Sequence, residues 1–478
     1  MEGREDYQRR LPEHRRLKNL ADTDPNRLDY HLMPPAGWLN DPNGLCQLHG
    51  VNHIYYQYSP FTAGWGTKYW GHYTTKDWIR YHSEEPFLFP DQEMDRDGVY
   101  SGSALVEQGK IHYFYTGNVK LTDREYDYIL EGREQNTIAF ESEDGCGRTE
   151  KECLLTNEDY PDTMTKHVRD PKVYKKDGVY YMVLGARDKE DRGCVLMYRS
   201  PDLRRWSYFQ TIYHGERFGY MWECPDLFEL DGQLVLAACP QGLEKQGYDF
   251  ANVYQAGYFP LEFDFKTGSY LLGEFRELDR GFDFYAPQTF EDESGRRILI
   301  AWMGIPDADY DNEATVKMGW QHAMTMPREL KFKNGRLYQT PLEEFKQLRM
   351  EKKEYSLSEA RRIGLKGHAF ELEIRLEQEG GIELKLLDDT RISYENQVFT
   401  LEFGKSGCGR TKRSVKLSGL KCMSVYVDQS SIEIFINEGE EVFSARVYDG
   451  KRDCVLECSA EGTDGRLAIY PLAGFHIG

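Results

Sequence analysis

Three short stretches set a carboxylate beside a proline: Asn40-Asp41-Pro42, Arg169-Asp170-Pro171 and Trp222-Glu223-Cys224-Pro225. Proline fixes its own φ and restricts the residue before it to extended backbone, so each acid is displayed from a stiff segment. Cleavage of a glycosidic bond needs one carboxylate at the anomeric carbon and one carboxylic acid to protonate the leaving oxygen. The sequence neighbours suggest how the roles divide. Asn40 can donate to Asp41 and keep it ionised as a nucleophile. Trp222 and Cys224 offer Glu223 weak solvation, which suits an acid/base that holds its proton near neutral pH. Arg169 favours an ionised Asp170, able to orient hydroxyls and offset positive charge at an oxocarbenium-like centre. Taken singly, the stretches read first as a turn, a surface ion pair and a strand edge with an exposed Glu, so the chemistry depends on the three meeting.

A repeat supplies the means. Each acidic cluster opens a unit of strand, glycine turn and strand rich in Tyr, Val, Ile or Leu, with turns at Gly50, Gly178 and Gly232. Two further units carry their turns at Gly109 and Gly295, opening on Ser101 and Tyr285. Successive turn glycines stand 59, 69, 54 and 63 residues apart. A second echo joins Tyr73-Thr74-Thr75-Lys76-Asp77-Trp78 to Tyr198-Arg199-Ser200-Pro201-Asp202-Leu203. Five such units predict an all-β chain built on a five-bladed β-propeller, whose opening clusters converge on one end of a central channel.

The propeller is expected over residues 1–345, with 1–30 as an N-terminal extension wrapping it and a short helix within Glu13 to Leu20. Thr340-Pro341-Leu342-Glu343 reads as a helix start, giving a linker helix near 341–350. From 346 to 478 the texture turns to clean alternation, as in Phe370-Glu371-Leu372-Glu373-Ile374 and Ile432-Glu433-Ile434-Phe435-Ile436. Strands with one wet and one dry face predict a C-terminal antiparallel β-sandwich.

Composition narrows the function. The 478 residues carry 60 Lys plus Arg against 80 Asp plus Glu, a net charge of −20 that opposes nucleic acid and anionic membranes as partners. Ten cysteines without C-x-x-C or zinc spacing argue against a disulfide scaffold and a metal site, and Cys454 and Cys458 read as buried thiols on one strand face. No apolar leader or membrane-length run is present, so a cytoplasmic location is expected. Aromatic side chains, 14% of the chain, suit a sugar site.

Together Trp38-Leu39-Asn40-Asp41-Pro42-Asn43-Gly44, Tyr100-Ser101-Gly102-Ser103, Arg169-Asp170-Pro171, Glu223-Cys224-Pro225 and Tyr285-Ala286-Pro287-Gln288 resemble glycoside hydrolase family 32. The resemblance runs from about His31 to the C-terminus and includes Val427 to Phe435. It implies a propeller plus sandwich, no cofactor, and retaining hydrolysis of β-fructofuranosides through a covalent fructosyl-enzyme. It places the nucleophile on Asp41, the transition-state stabiliser on Asp170 and the acid/base on Glu223. Sugar contacts fall on Asn40, Gln57, Trp65, Ser101 and Arg169, with Tyr285 and Trp302 as further candidates. Leu39 and Tyr100 stand where many members have Met and Phe, and the Tyr100 hydroxyl can add a contact.

Within such a family the composition favours an intracellular enzyme acting on sucrose or sucrose 6-phosphate. Arg133, Lys166, Lys189 and Arg192 lie in loops that could meet a phosphate, though each reads first as an ordinary solvated charge. The alternatives are a non-catalytic sugar-binding propeller, a fructosyltransferase, and an exo-fructanase acting on inulin or levan. The sandwich is expected to support the propeller or to carry a homo-oligomer contact.

Overall fold

The computed structural model describes residues 2–378, 380–450, 453–460 and 462–478. Five sheets, four antiparallel and the first with a short parallel strand at each edge, open on the strands Gly37–Leu48, Val99–Glu107, Met164–Lys176, Met221–Leu230 and Tyr285–Glu291. These five inner strands lie against one another in chain order and the fifth returns to the first, so the sheets close a β-propeller ring.

Each inner strand turns back at the predicted glycine. Gly50, Gly109, Gly178, Gly232 and Gly295 have φ between +74° and +81°, and His49, Gln108, Asp177 and Asp231 before the first four also have positive φ. Two successive left-handed residues fit the twist of a tight hairpin, and glycine takes the second without strain. The echo between the first and third sheets is a shared turn. Asp77 accepts the backbone N–H groups of Ile79 and Arg80 and pairs with Arg80, as Asp202 does with Arg204 and Arg205. Trp78 and Leu203 between them both sit at positive φ.

All five inner strands carry one extra residue at the same place. Three steps from Leu39 to Pro42, Val99 to Gly102, Arg169 to Lys172, Glu223 to Asp226 and Tyr285 to Gln288 oppose two steps on the partner strand. Such bulges re-aim side chains, and proline is tolerated there because the ladder hydrogen bond is already interrupted. The inner strands are then stitched around the ring. Gly102 N–H donates to Asn43 Oδ1, Ser103 Oγ to Pro171 O, Cys224 N–H to Asp170 Oδ2, Thr289 N–H to Asp226 Oδ2, and Leu45 N–H to Gln288 Oε1.

The N-terminal helix is longer than expected, Arg4–Ala21, and runs through Pro12. Its buried Tyr7 and His14 face Phe61, in the turn after the second strand, and Tyr58 of the first sheet, and this packing outweighs the hydrogen bond that Pro12 cannot make. The linker departs from the expected helix. Thr340 and Pro341 end the strand Arg336–Pro341, and a 3-10 turn follows at Glu343–Leu348. Buried Leu342, Phe345 and Leu348 recur every third residue, the period of that tighter helix.

The C-terminal region is a sandwich of two six-stranded sheets. Leu372, Ile374, Ile382, Leu384, Leu386, Ile432, Ile434 and Ile436 fill its core, and Cys454 and Cys458 are buried with them. The strand Ser431–Ile436 differs from its expected pattern and is buried on both faces. Its second face meets the propeller, where Glu433 receives Arg328 Nη2 at 2.7 Å and His31 Nε2 lies 3.0 Å away.

Candidate active site

The shared bulge decides where the predicted residues sit. In register, Arg169, Glu223 and Tyr285 open their bulges where Leu39 and Val99 open theirs; Asn40, Tyr100, Asp170, Cys224 and Ala286 come next, and Asp41 and Ser101 stand one residue further, level with Pro171, Pro225 and Pro287. Asp170, Cys224 and Ala286 have φ of 64°, 46° and 47°. Aspartate tolerates that region through its short polar side chain, whereas cysteine and alanine are held there by their surroundings. The three acids are therefore not structural counterparts: Glu223 opens its bulge, Asp170 stands one residue into its own and Asp41 two.

Asp41 and Asp170 flank the Cys224 thiol, whose Sγ lies 3.8 Å from Asp41 Oδ2 and 3.6 Å from Asp170 Oδ2. A set of donors surrounds Asp41. Asn40 Nδ2 donates to Oδ1 at 3.0 Å, Ser101 Oγ donates to Oδ2, and Gln57 Nε2 lies 3.4 Å from Oδ2 and also donates to Ser101. Asn40 is fixed by Trp38 Nε1, which donates to its Oδ1 at 2.9 Å. Burial pushes the Asp41 carboxyl above its ordinary range; Ser101, Asn40 and the Lys68 ammonium pull it back, and Glu223 adds to the rise.

The electrostatic division read from sequence neighbours changes here. Arg169 turns to Glu223, with Nη2 and Nε at 2.6 and 3.1 Å from Oε1, and stays 4.0 Å from Asp170. Burial takes Asp170 up to about 7, with Arg169 opposing the rise and Glu223 adding to it. Trp222 lies on the opposite strand face, packed on Phe259 in the core between the third and fourth sheets, because successive side chains alternate. Glu223 instead meets Gln241 Nε2 at 2.6 Å and Tyr285 Oη at 2.8 Å, both donating to Oε2.

Trp65 is 60% exposed at the rim, edge-on to Trp38 at 6.1 Å. Trp302 is brought to the site but lies one layer back, packed on Trp38, Tyr285 and His322. Tyr100 is half-buried beside Arg133 and Arg169. Of the four further cations, Arg192 pairs with Asp188 and Glu190 and Lys189 is exposed, as solvated charges are. Lys166 is half-buried, but Arg133 is fully buried.

Lys68 escaped the sequence reading. Its ammonium bonds Ser59 Oγ at 3.1 Å and lies 4.3 and 5.0 Å from the Trp65 and Trp38 ring centres. Burial drops its pKa to about 7, with Asp41 drawing it back up. Its place three residues after Trp65 was the available signal. Among the described residues no group of three or more His, Cys, Asp or Glu is arranged to hold a metal ion, and no helix is long and apolar enough to cross a membrane.

Sequence profiles for the glycosyl hydrolases family 32 N-terminal domain and C-terminal region match residues 31–341 and 340–470. A sucrose-6-phosphate hydrolase of Bacillus subtilis is 39% identical over 473 residues, 95% of each chain. The raffinose invertase of Escherichia coli is 38% identical, covering 88% of this chain and 89% of its own. Among solved structures, the sucrose-6-phosphate hydrolase of Lactobacillus gasseri superposes with a TM-score of 0.87 at 29% identity, over 97% of this chain and 96% of that one. A Bombyx mori β-fructofuranosidase mutant solved with sucrose gives 0.83 at 30% identity, over 97% and 98%. With both profiles matched in sequence order across nearly the whole chain, the protein belongs to glycosyl hydrolase family 32.

Proposed function

We propose that the protein is a β-fructofuranosidase that hydrolyses sucrose or sucrose 6-phosphate by double displacement. The observation that carries this reading is the meeting of Asp41, Asp170 and Glu223 at one end of the propeller ring, two of them against the same Cys224 thiol. The relatives' names supply the substrate class.

Asp41 attacks the anomeric carbon of the fructosyl unit while Glu223 gives its proton to the leaving glycosidic oxygen, forming a fructosyl-enzyme ester. Glu223 then takes a proton from water, which attacks the same carbon and releases fructose with retained configuration. The donors of Asn40, Ser101 and Gln57 hold Asp41 in one orientation, so its attack needs little rearrangement. Asp170 offsets charge on the ring as the bond to the leaving group stretches, and Trp65 offers the sugar an open aromatic face.

Initial rates on sucrose, sucrose 6-phosphate, inulin and levan test the substrate. Asp41→Gly with added azide tests the chemistry: azide restoring turnover and giving an inverted fructosyl azide supports Asp41 as the nucleophile. Wild-type turnover that survives Asp41→Asn within about tenfold overturns it.

A further inference from the structure

Arg133 opens the strand Arg133–Ser142 of the second sheet and is only 6% exposed, yet among the described residues no carboxylate lies within 4.0 Å of it. A buried guanidinium without a counter-charge is costly unless a ligand supplies one. Burial, and after it the Arg169 charge, lowers its pKa to about 9.

Its neighbours are also short of acceptors. Arg133 Nη1 and Arg169 Nη1 both point at His167 Nδ1, at 3.3 and 3.0 Å. A ring nitrogen that accepts from two guanidinium groups carries no proton, so the ring proton of His167 sits on Nε2. That Nε2, Gln135 Nε2 and Arg133 Nε are all buried without a partner among the described residues. Gln135 is oriented by Arg169 Nη1, which donates to its Oε1 at 3.3 Å, so its amide cannot simply be reversed. Tyr128, 45% exposed, covers the group from outside, its ring 3.8 Å from the Arg133 guanidinium and 5.9 Å from His167.

The position is as informative as the chemistry. Arg169 connects this group to Glu223, the residue that protonates the leaving oxygen. We propose that Arg133, His167 and Gln135, walled by Tyr128, form an anion subsite that takes the 6-phosphate of the leaving glucose unit. The proposal rests on the β-fructofuranosidase reading above and assigns it the phosphorylated substrate. A phosphate monoester presents several acceptor oxygens to a guanidinium fork and the two neighbouring N–H donors. In a chain of net charge −20, a local cation that no carboxylate neutralises is what an anionic substrate requires.

The test measures kcat/KM on sucrose and sucrose 6-phosphate, and inhibition by glucose 6-phosphate, glucose and inorganic phosphate, for the wild type, Arg133→Gln, Arg133→Lys and His167→Asn. Arg133→Gln lowers kcat/KM on sucrose 6-phosphate on the order of 100-fold, at least tenfold more than on sucrose, and Arg133→Lys falls between. Glucose 6-phosphate inhibits the wild type at least tenfold better than glucose, and Arg133→Gln removes that difference. Parallel losses on both substrates, or equal inhibition of the wild type by the two sugars, overturn the subsite. If Arg133→Gln fails to fold, the wild-type inhibition comparison decides alone. A wild type that cleaves neither fructoside defeats the reaction reading instead, and calorimetric binding of glucose 6-phosphate against glucose still decides the subsite.

Discussion

Arg169 closes on Glu223 at 2.6 Å and leaves Asp170, its neighbour in sequence, 4.0 Å away. Two donors of one guanidinium fork meet Glu223 Oε1 while Gln241 and Tyr285 hold Oε2, and the two sets together fix the carboxyl's position and plane. Arg169→Lys keeps a positive charge but loses the fork, so kcat falls on the order of 10²-fold while the melting temperature changes little. Steady-state kinetics and thermal melts check this; a kcat within about threefold of the wild type contradicts a positioning role for the fork.

Asp170 combines a buried carboxylate with a left-handed backbone that Asn adopts readily. Its folded pKa, about 7, lies above its unfolded value, so the stability it contributes is full below about pH 4 and is lost as pH rises through 7. Asp170→Asn removes that loss. The variant is more stable than the wild type at pH 8, by on the order of 1–4 kcal/mol, and melts higher there, with little difference at pH 4. Its kcat falls on the order of 10³-fold if the charge stabilises the transition state. Melting curves at the two pH values and single-turnover rates test both halves.

Lys68 acts on Asp41 through space. Burial has already raised the Asp41 carboxyl, and the ammonium is one of the groups holding it down. Lys68→Met removes that pull, so the acidic limb of kcat/KM, where Asp41 must be ionised, moves to higher pH. A pH–rate profile reads the displacement directly. A limb that stays in place or moves to lower pH contradicts the coupling.

Trp65 is held at the rim by few contacts and exposes most of its surface. Trp65→Ala raises KM for sucrose on the order of tenfold and shifts stability by no more than about 0.5 kcal/mol. A melting temperature that collapses with KM unchanged assigns the ring to structure.

The repeat was legible because it is written in local chemistry. A glycine takes a left-handed position in each hairpin turn, and a proline or Gly102 falls at each bulge, whatever the rest of the fold does. Partners across the ring were not legible. Sequence adjacency paired Arg169 with Asp170 and Trp222 with Glu223, but strand alternation and the added bulge residue send those neighbours in different directions. The burial of Arg133 and Lys68 escaped for the same reason: a charge in a loop looks solvated until the neighbouring blade is in place. Glu433, which alternation marked as wet, is dry only because the propeller covers that face of the sandwich.

That covered face carries a pH-sensitive clamp. His31 Nδ1 lies 2.8 Å from Asp428 and Nε2 3.0 Å from Glu433, joining the segment before the first blade to the sandwich hairpin. Burial alone would lower the His31 pKa, but the two carboxylates outweigh it and raise it to about 9. A folded pKa above the unfolded value of about 6.5 means that the stability is full below pH 6.5 and is lost as pH rises through 9. The difference corresponds to about 3 kcal/mol. His31→Gln therefore lowers the melting temperature most at pH 6, and the gap to the wild type narrows towards pH 9.5. Glu433 also receives Arg328 Nη2 and the Met326 N–H, so it stays paired in the variant and the loss is specific to the histidine. A gap that is constant across this range assigns His31 to packing alone.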